Sequence, residues 1–337
     1  MNISILTHPL GANYGGILQA FALSTYLKKQ GHKVYVLNRN ANMPFFKRIL
    51  KLIMVFIHSP RYNNPRYQHL IRFVKQYIPY SKPLYTSAQM ATFIRKNNVQ
   101  VSIVGSDQVW RASFAMNYDY DYFLNFVPSG VKHVSYAASF GLSKWEYTEI
   151  QTYNIKQLVK NFDAVSVRER EGVTLCQVYL DVKAEHVLDP TLLLHAEEYN
   201  AITSPRIVQE DYIFVYWLGS AKEKQNAIEE ANIVGKRLVD LSLRGNEPLI
   251  PVEDWLSYIK YAYLVLTDSF HGCVFSILFK RQFSIYANNS GGNGRLKSLF
   301  TMLDIEPVVG NIDYDIIDKR LEEYRSKSYT FIKQALR

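Results

Sequence analysis

LVLTDSFHGCVFSILFKRQF, residues 264–283, decides how this chain is read. Leu264, Val265 and Leu266 form the unbroken apolar run of a strand covered on both faces, the mark of a parallel sheet. Thr267, Asp268 and Ser269 break that run, and Asp or Ser is a good cap for a helix. Helical spacing follows from Cys273 to Phe279, so His271 falls in the first turn. Strand, polar turn and helix together set His271 at the carboxyl edge of a sheet, where ligands of open α/β sheets bind. Amide groups at a helix start favour anions. A titratable imidazole beside such a seat can donate a proton. Cys273, within the apolar helix, reads as packing rather than nucleophile.

The rest of the chain alternates in the same way. Residues 2–7 read as a strand, 11–16 as a glycine-bearing loop, 17–29 as a helix ended by Gly31, and 33–38 as the next strand. This is the start of a Rossmann-like sheet, but GxGxxG is lacking and no dinucleotide site is assigned. Further strands are expected at 101–104, 134–138 and 164–167, with helices at 145–160 and 171–179. A turn-rich stretch, 199–211, reads as a linker, after which the pattern restarts. Strands at 213–217, 237–241 and 283–286 and helices at 222–233 and 252–261 surround the opening motif. The domains expected are 1–198, with a basic amphipathic insertion near 43–75, then 211–314. The helix 315–337 is placed back on the first domain by analogy.

The chain has 337 residues, which suits two domains, and 48% hydrophobic against 20% charged residues excludes global disorder. Two distant cysteines, Cys176 and Cys273, argue against a disulfide scaffold or a thiolate zinc site. No His pair has metal-ligand spacing, so no metal is expected. Asp119 and Asp121, in YDYDYF, read either as a cation-binding pair or as a tyrosine-rich loop or strand face. The opening MNISILTHPL reads as a strand rather than a secretory leader, and no apolar run spans a bilayer, so a cytoplasmic protein is expected. The net charge is +9, part of it on Lys47, Arg48 and Lys51, which form a narrow basic stripe on an otherwise apolar helix at 45–57. That helix either lies peripherally on an anionic membrane, at the inner face of the plasma membrane, or docks inside the protein. Basic residues are otherwise scattered and no nucleic-acid module is visible, so no nucleic-acid partner is expected.

Four more motifs stand in order along the chain: NYGGILQAFAL (13–23), GSDQVW (105–110), SVRE (166–169) and LDPTLLL (188–194). With TDSFHG (267–272), the set resembles the polysaccharide pyruvyl transferase family over most of the chain, to about residue 303. The resemblance implies an α/β fold of two Rossmann-like domains facing a cleft, similar to the glycosyltransferase-B architecture. It also implies phosphoenolpyruvate as co-substrate, with no other cofactor, and a product in which pyruvate bridges two sugar hydroxyls as a ketal. His271 matches the histidine of the family's motif, here TDSFHG, a general acid by that resemblance. Ser269 and Gly272 belong to the same motif. Arg168 follows a strand, and its guanidinium fork suits phosphate or carboxylate, the alternative being a surface ion pair with Glu169 or Glu171. Arg295 or Lys297 is the second anion anchor.

Asn13, Tyr14 and Gly15 form a loop expected to meet an acceptor sugar, with Ser106, Gln108 and Trp110 beside them. Asp107 either orients or deprotonates an acceptor hydroxyl or caps the next helix, and His8 borders the same loop as a reserve candidate. The function expected is transfer of pyruvate onto a glycan precursor of a bacterial surface polysaccharide, lipid-linked in view of the basic apolar segment. A sugar-nucleotide glycosyltransferase of the same architecture and a non-catalytic, membrane-associated assembly protein are the competing readings.

Overall fold

The computed structural model describes residues 1–11, 13–40, 64–118, 120–232, 235–241, 248–286, 293–305 and 312–337. The expected helix at 45–57, most of the 43–75 insertion and Asp119 lie outside the described residues. The chain divides into two compact units. Unit one comprises Met1–Leu193 and Arg325–Arg337, and unit two comprises Leu194–Tyr324.

Among its described residues, unit one holds a six-stranded parallel sheet in the order β2-β1-β3-β4-β5-β6. Its strands are β1 (Asn2–Leu6), β2 (Lys33–Leu37), β3 (Val101–Gly105), β4 (Lys132–Ala138), β5 (Ala164–Val167) and β6 (Glu185–His186). β1, β3 and β5 are largely apolar and buried, each with one buried serine, as a sheet covered by helices on both faces requires. β1 pairs with β2 on one side and with β3 on the other, Ile3 facing both Val34 and Val101. The order therefore reverses at β1, and a crevice opens at the carboxyl ends of β1 and β3.

The first helix, Tyr14–Lys29, starts three residues earlier than its sequence pattern suggests. Asn13 caps it: its side-chain oxygen accepts from the amides of Gly15 and Gly16 at 2.9 and 3.4 Å. Tyr14 becomes the first helical residue and is 1% exposed, so the loop expected over 11–16 is shorter than its glycines imply.

Unit two carries, among its described residues, a four-stranded parallel sheet in the order β10-β9-β7-β8. These strands are β7 (Tyr212–Tyr216), β8 (Arg237–Asp240), β9 (Leu264–Thr267) and β10 (Gln282–Ile285). Here the order reverses at β7, which pairs with both β8 and β9. The unit begins at Leu194, ahead of the turn-rich stretch read as a linker. Tyr199, fully buried, sets its ring edge-on against Phe275, which ties the short helix Ala196–Asn200 into unit two.

The helix Tyr314–Ala335 ends within unit one. There Arg325 Nε donates to the Leu192 carbonyl at 2.7 Å, Tyr329 donates to the Leu193 carbonyl at 2.6 Å, and the Ser328 hydroxyl accepts from the Leu188 amide at 3.1 Å. Tyr329 also stacks on Tyr26 at 5.0 Å. Among the described residues no helix is long and apolar enough to cross a membrane.

One close approach fixes the strand–turn–helix of residues 264–278. The helix Phe270–Leu278 lies so near β9 that a Cβ on Gly272 would stand 2.5 Å from Thr267 Oγ1 and 3.1 Å from its Cβ. Thr267 cannot swing aside cheaply, because its hydroxyl donates to the Tyr216 carbonyl at 2.7 Å and accepts from the Ser269 amide at 3.0 Å. Gly272→Ala is expected to cost about 1–3 kcal/mol through this overlap. A thermal melt of the variant matching the unsubstituted protein would contradict that geometry.

Candidate functional site

In unit two, β9 delivers the chain to Asp268 at the point where the sheet order reverses. The Asp268 carboxylate accepts from the amides of Leu218 and Gly219, the residues that follow β7, at 2.7 and 2.5 Å. One side chain thus joins the two loops that flank the crevice. Burial pushes its carboxyl above the ordinary range, and the two amides offset only part of that. Ser269 caps the next helix, its hydroxyl oxygen accepting from the Gly272 amide at 3.4 Å.

His271 is the second residue of that helix and is 8% exposed. Its ring meets the edge of Phe270 at 5.2 Å. The guanidinium of Arg295 lies over the same Phe270 ring, 5.9 Å from its centroid. Arg295 therefore shares a neighbour with His271, whereas Lys297 points to solvent. Cys273 is fully buried, and burial pushes its thiol up.

In unit one the reversal point lies between β1 and β3, and a pocket of about 390 Å³ opens there. It is lined by His8 from the loop after β1, Asn13 at the helix cap, Asp107 and Gln108 from the loop after β3, and Phe114 and Tyr118 beyond. Asp107 holds a left-handed backbone, φ 72°, which is uncommon for a residue other than glycine. Its Oδ1 accepts from the Gln108 amide at 2.9 Å, and its Oδ2 lies 3.4 Å from where a Cβ on Gly16 would stand. The carboxylate thus sits over the start of the first helix, where negative charge is favoured. The short helix that follows, Ala112–Ala115, has Arg111 at its cap position, so the capping role considered for Asp107 does not apply to it.

Not every expected residue reaches this pocket. Trp110 is fully buried, and its indole N–H donates to the Tyr122 carbonyl at 2.9 Å, so it is core rather than a platform for sugar. Tyr14 and Gly15 are buried in the first turn of the helix. Ser106 is fully buried as well, its hydroxyl donating to Asp189 Oδ2 at 2.9 Å. These four carry apolar, capping or supporting roles, because the helix begins at Tyr14 and the chain after β3 turns inward. Asp121 pairs with Arg39 Nε at 2.5 Å and accepts from Ser87 at 2.6 Å, both Arg39 and Asp121 being buried, so a cation site at YDYDYF is not what this half of the pair builds.

Arg168 leaves β5 and is 3% exposed. The surface ion pair with Glu169 or Glu171 is replaced by a buried one: Arg168 Nη1 donates to Asp189 Oδ2 at 2.6 Å. Burial pulls its proton affinity down, but Asp189, then Asp107 and Glu169, outweigh this and leave it raised. Asp189 also accepts through Oδ1 from the Thr191 amide and hydroxyl at 3.0 and 2.6 Å. One carboxylate thus gathers the ends of β3 and β5 and the DPT turn. In the sequence LDPT marks only the family, and the signal for this role is Asp before Pro-Thr, a turn that uses its own side chain. Asp189→Ala would strand the Arg168 charge among buried groups, and a loss of about 3–5 kcal/mol is expected in a denaturation curve. A change under about 1 kcal/mol would show that Asp107 and Glu169 suffice.

No curated protein matches the chain. Among solved structures, it is similar to the UDP-GlcNAc 2-epimerase from Methanocaldococcus jannaschii, at 14% identity over 98% of this chain and 100% of that one, TM-score 0.50. It is also similar to MnaA from S. aureus in its UDP co-structure, at 11% identity over 99% and 91%, TM-score 0.50. Such low identities bear on the fold alone, and that fold is α/β of the glycosyltransferase-B type. A family model for polysaccharide pyruvyl transferase matches residues 13–290, and the chain belongs to that family.

Proposed function

We propose that this protein moves pyruvate from phosphoenolpyruvate onto two hydroxyls of one sugar in a surface-polysaccharide precursor, forming a ketal. The observation that carries the reading is His271 in the first turn of a capped helix at the reversal point of unit two, with Arg295 across Phe270. Membership of the family supports the same reaction class. The lipid-linked form of the acceptor, and contact with an anionic membrane, rest on the basic apolar sequence at 45–57 alone.

The assigned roles follow from the reaction. A proton goes from the His271 imidazolium to the methylene carbon of the enol, and the adjoining carbon becomes electrophilic. One sugar hydroxyl adds to that carbon and gives up its proton. The bond from that carbon to the phosphate oxygen breaks, and phosphate leaves. The second hydroxyl then closes the ring. Two hydroxyl protons are lost, one is matched by the methyl group formed, and the other leaves with phosphate. Arg295 is the main anchor for the donor's phosphate and carboxylate. Arg168 lies in unit one, where Asp189, Asp107 and Glu169 balance its charge. Ser269 and Gly272 shape the helix start that presents His271.

Phosphate release from phosphoenolpyruvate, measured with and without glycan acceptors, tests the reading. His271→Ala should lower kcat by about 10²–10⁴-fold. Arg295→Ala should raise KM for phosphoenolpyruvate about tenfold or more, with Lys297→Ala near the unsubstituted protein. Full turnover in His271→Ala, or no acceptor-dependent release at all, would sink the proposal.

A further inference from the structure

We propose that unit one carries a docking face for an anionic lipid bilayer, built by Lys28, Lys29, Lys33, Arg95 and Lys96 at the amino edge of its sheet. This face is separate from the contact read from the sequence at 45–57, and it does not depend on the transferase reading. Residues 1–106 hold fourteen Lys and Arg and no Asp or Glu. Beyond them the balance reverses, with 25 basic against 30 acidic residues. The +9 of the whole chain thus comes entirely from its first third.

Topology gathers part of that charge in one place. Helices that connect parallel strands run back against them, so their last turns lie at the amino ends of the strands. Lys28 and Lys29 end the helix Tyr14–Lys29, and Lys33 opens β2. The Lys33 amide donates to the Met1 carbonyl at 2.8 Å. Arg95 and Lys96 end the helix Ser87–Lys96, and the carbonyl of the next residue, Asn97, accepts from Asn2 Nδ2 at 2.7 Å. Both helix ends are thereby tied to the start of β1, and all five cationic side chains are exposed. Arg72, Lys75 and Lys82 are exposed too and continue the charge toward the outer side of β2, where Tyr80 bridges Val36.

A cation in the last turn of a helix complements the helix dipole, which accounts for Lys28, Lys29, Arg95 and Lys96 one by one. It does not account for the loss of every carboxylate over 106 residues. Exposed polar positions there hold Gln30, Gln76, Gln89, Asn98 and Gln100 instead. Along the same edge Asp163 stands ahead of β5, three strands from β1, and accepts from the His133 amide at 2.8 Å. Three strand spacings are about 14 Å, beyond a Debye length of about 8 Å, so Asp163 does little to cancel the five cations.

The character of the face selects the partner. Protein interfaces need an apolar or aromatic centre, and single-stranded nucleic acid needs aromatic platforms. Among the described residues from 2 to 106 no large apolar side chain is exposed. Anionic headgroups need only clustered cations, each worth about fivefold in affinity near the bilayer.

Sedimentation of the full chain with vesicles tests the inference. Vesicles of equal parts phosphatidylcholine and phosphatidylglycerol should bind the protein at physiological salt, and phosphatidylcholine alone should not. Binding should fall away by about 0.5 M salt, where screening shortens below the spacing of the charges. Lys28→Gln/Lys29→Gln and Arg95→Gln/Lys96→Gln should each weaken binding about 25-fold, and Lys33→Gln alone about fivefold. Thermal melts of these variants should match the unsubstituted protein, since all five positions are exposed. Lys222→Gln/Lys319→Gln, exposed in unit two, should bind as before. Equal binding to uncharged vesicles, edge variants that bind like the unsubstituted protein, or a loss confined to Lys47→Gln/Arg48→Gln/Lys51→Gln would each overturn the proposal. Tighter binding to a mixed-sequence DNA duplex than to the anionic vesicles would overturn it as well.

Discussion

Each unit is organised by a strand that has hydrogen-bonded neighbours on both sides, β1 between β2 and β3, and β7 between β8 and β9. Parallel strands need crossover connections, and two crossovers that leave in opposite directions cannot both cover the strand ends between them. The polar segments at those ends hold the candidate chemistry. His8 follows β1 and Asp107 follows β3. Leu218 and Gly219 follow β7, and Asp268 to His271 follow β9.

Two buried carboxylates secure these openings in different ways. Asp268 clamps two backbone amides and fixes the loop after β7 against the turn after β9. Asp189 gathers Arg168, Ser106 and Thr191 from separate elements. A buried carboxylate is tolerable only with such partners, so each implies a rigid local frame. Rigidity there is useful, because a proton donor or acceptor misplaced by an ångström loses much of its effect.

Several residues that the sequence offered as ligands turn out to be the frame itself. Trp110, Ser106 and Tyr14 stand in motifs shared with the candidate positions, yet all are buried. A motif marks a place in the fold, not a surface. Asp107 and Gln108 line the pocket while their neighbours Ser106 and Trp110 face the core, since the backbone turns at Asp107 through a positive φ. Linear spacing carries no sign of that turn.

The sequence by itself determined the alternation of strand and helix, the two-sheet class, the capped helix bearing His271 and the family, because apolar periodicity and helix-start chemistry are local properties of the chain. It missed β6, which is two residues long, and it set the first helix three residues late, because the Asn13 cap lies ahead of two glycines that read as loop. Strand order, the pairing of Arg168 with Asp189, the nearness of Arg295 rather than Lys297 to Phe270 and the pocket beside His8 were decided only by tertiary structure. Each of these depends on residues far apart in the chain, and their meeting is fixed by the crossovers and by packing rather than by any local preference.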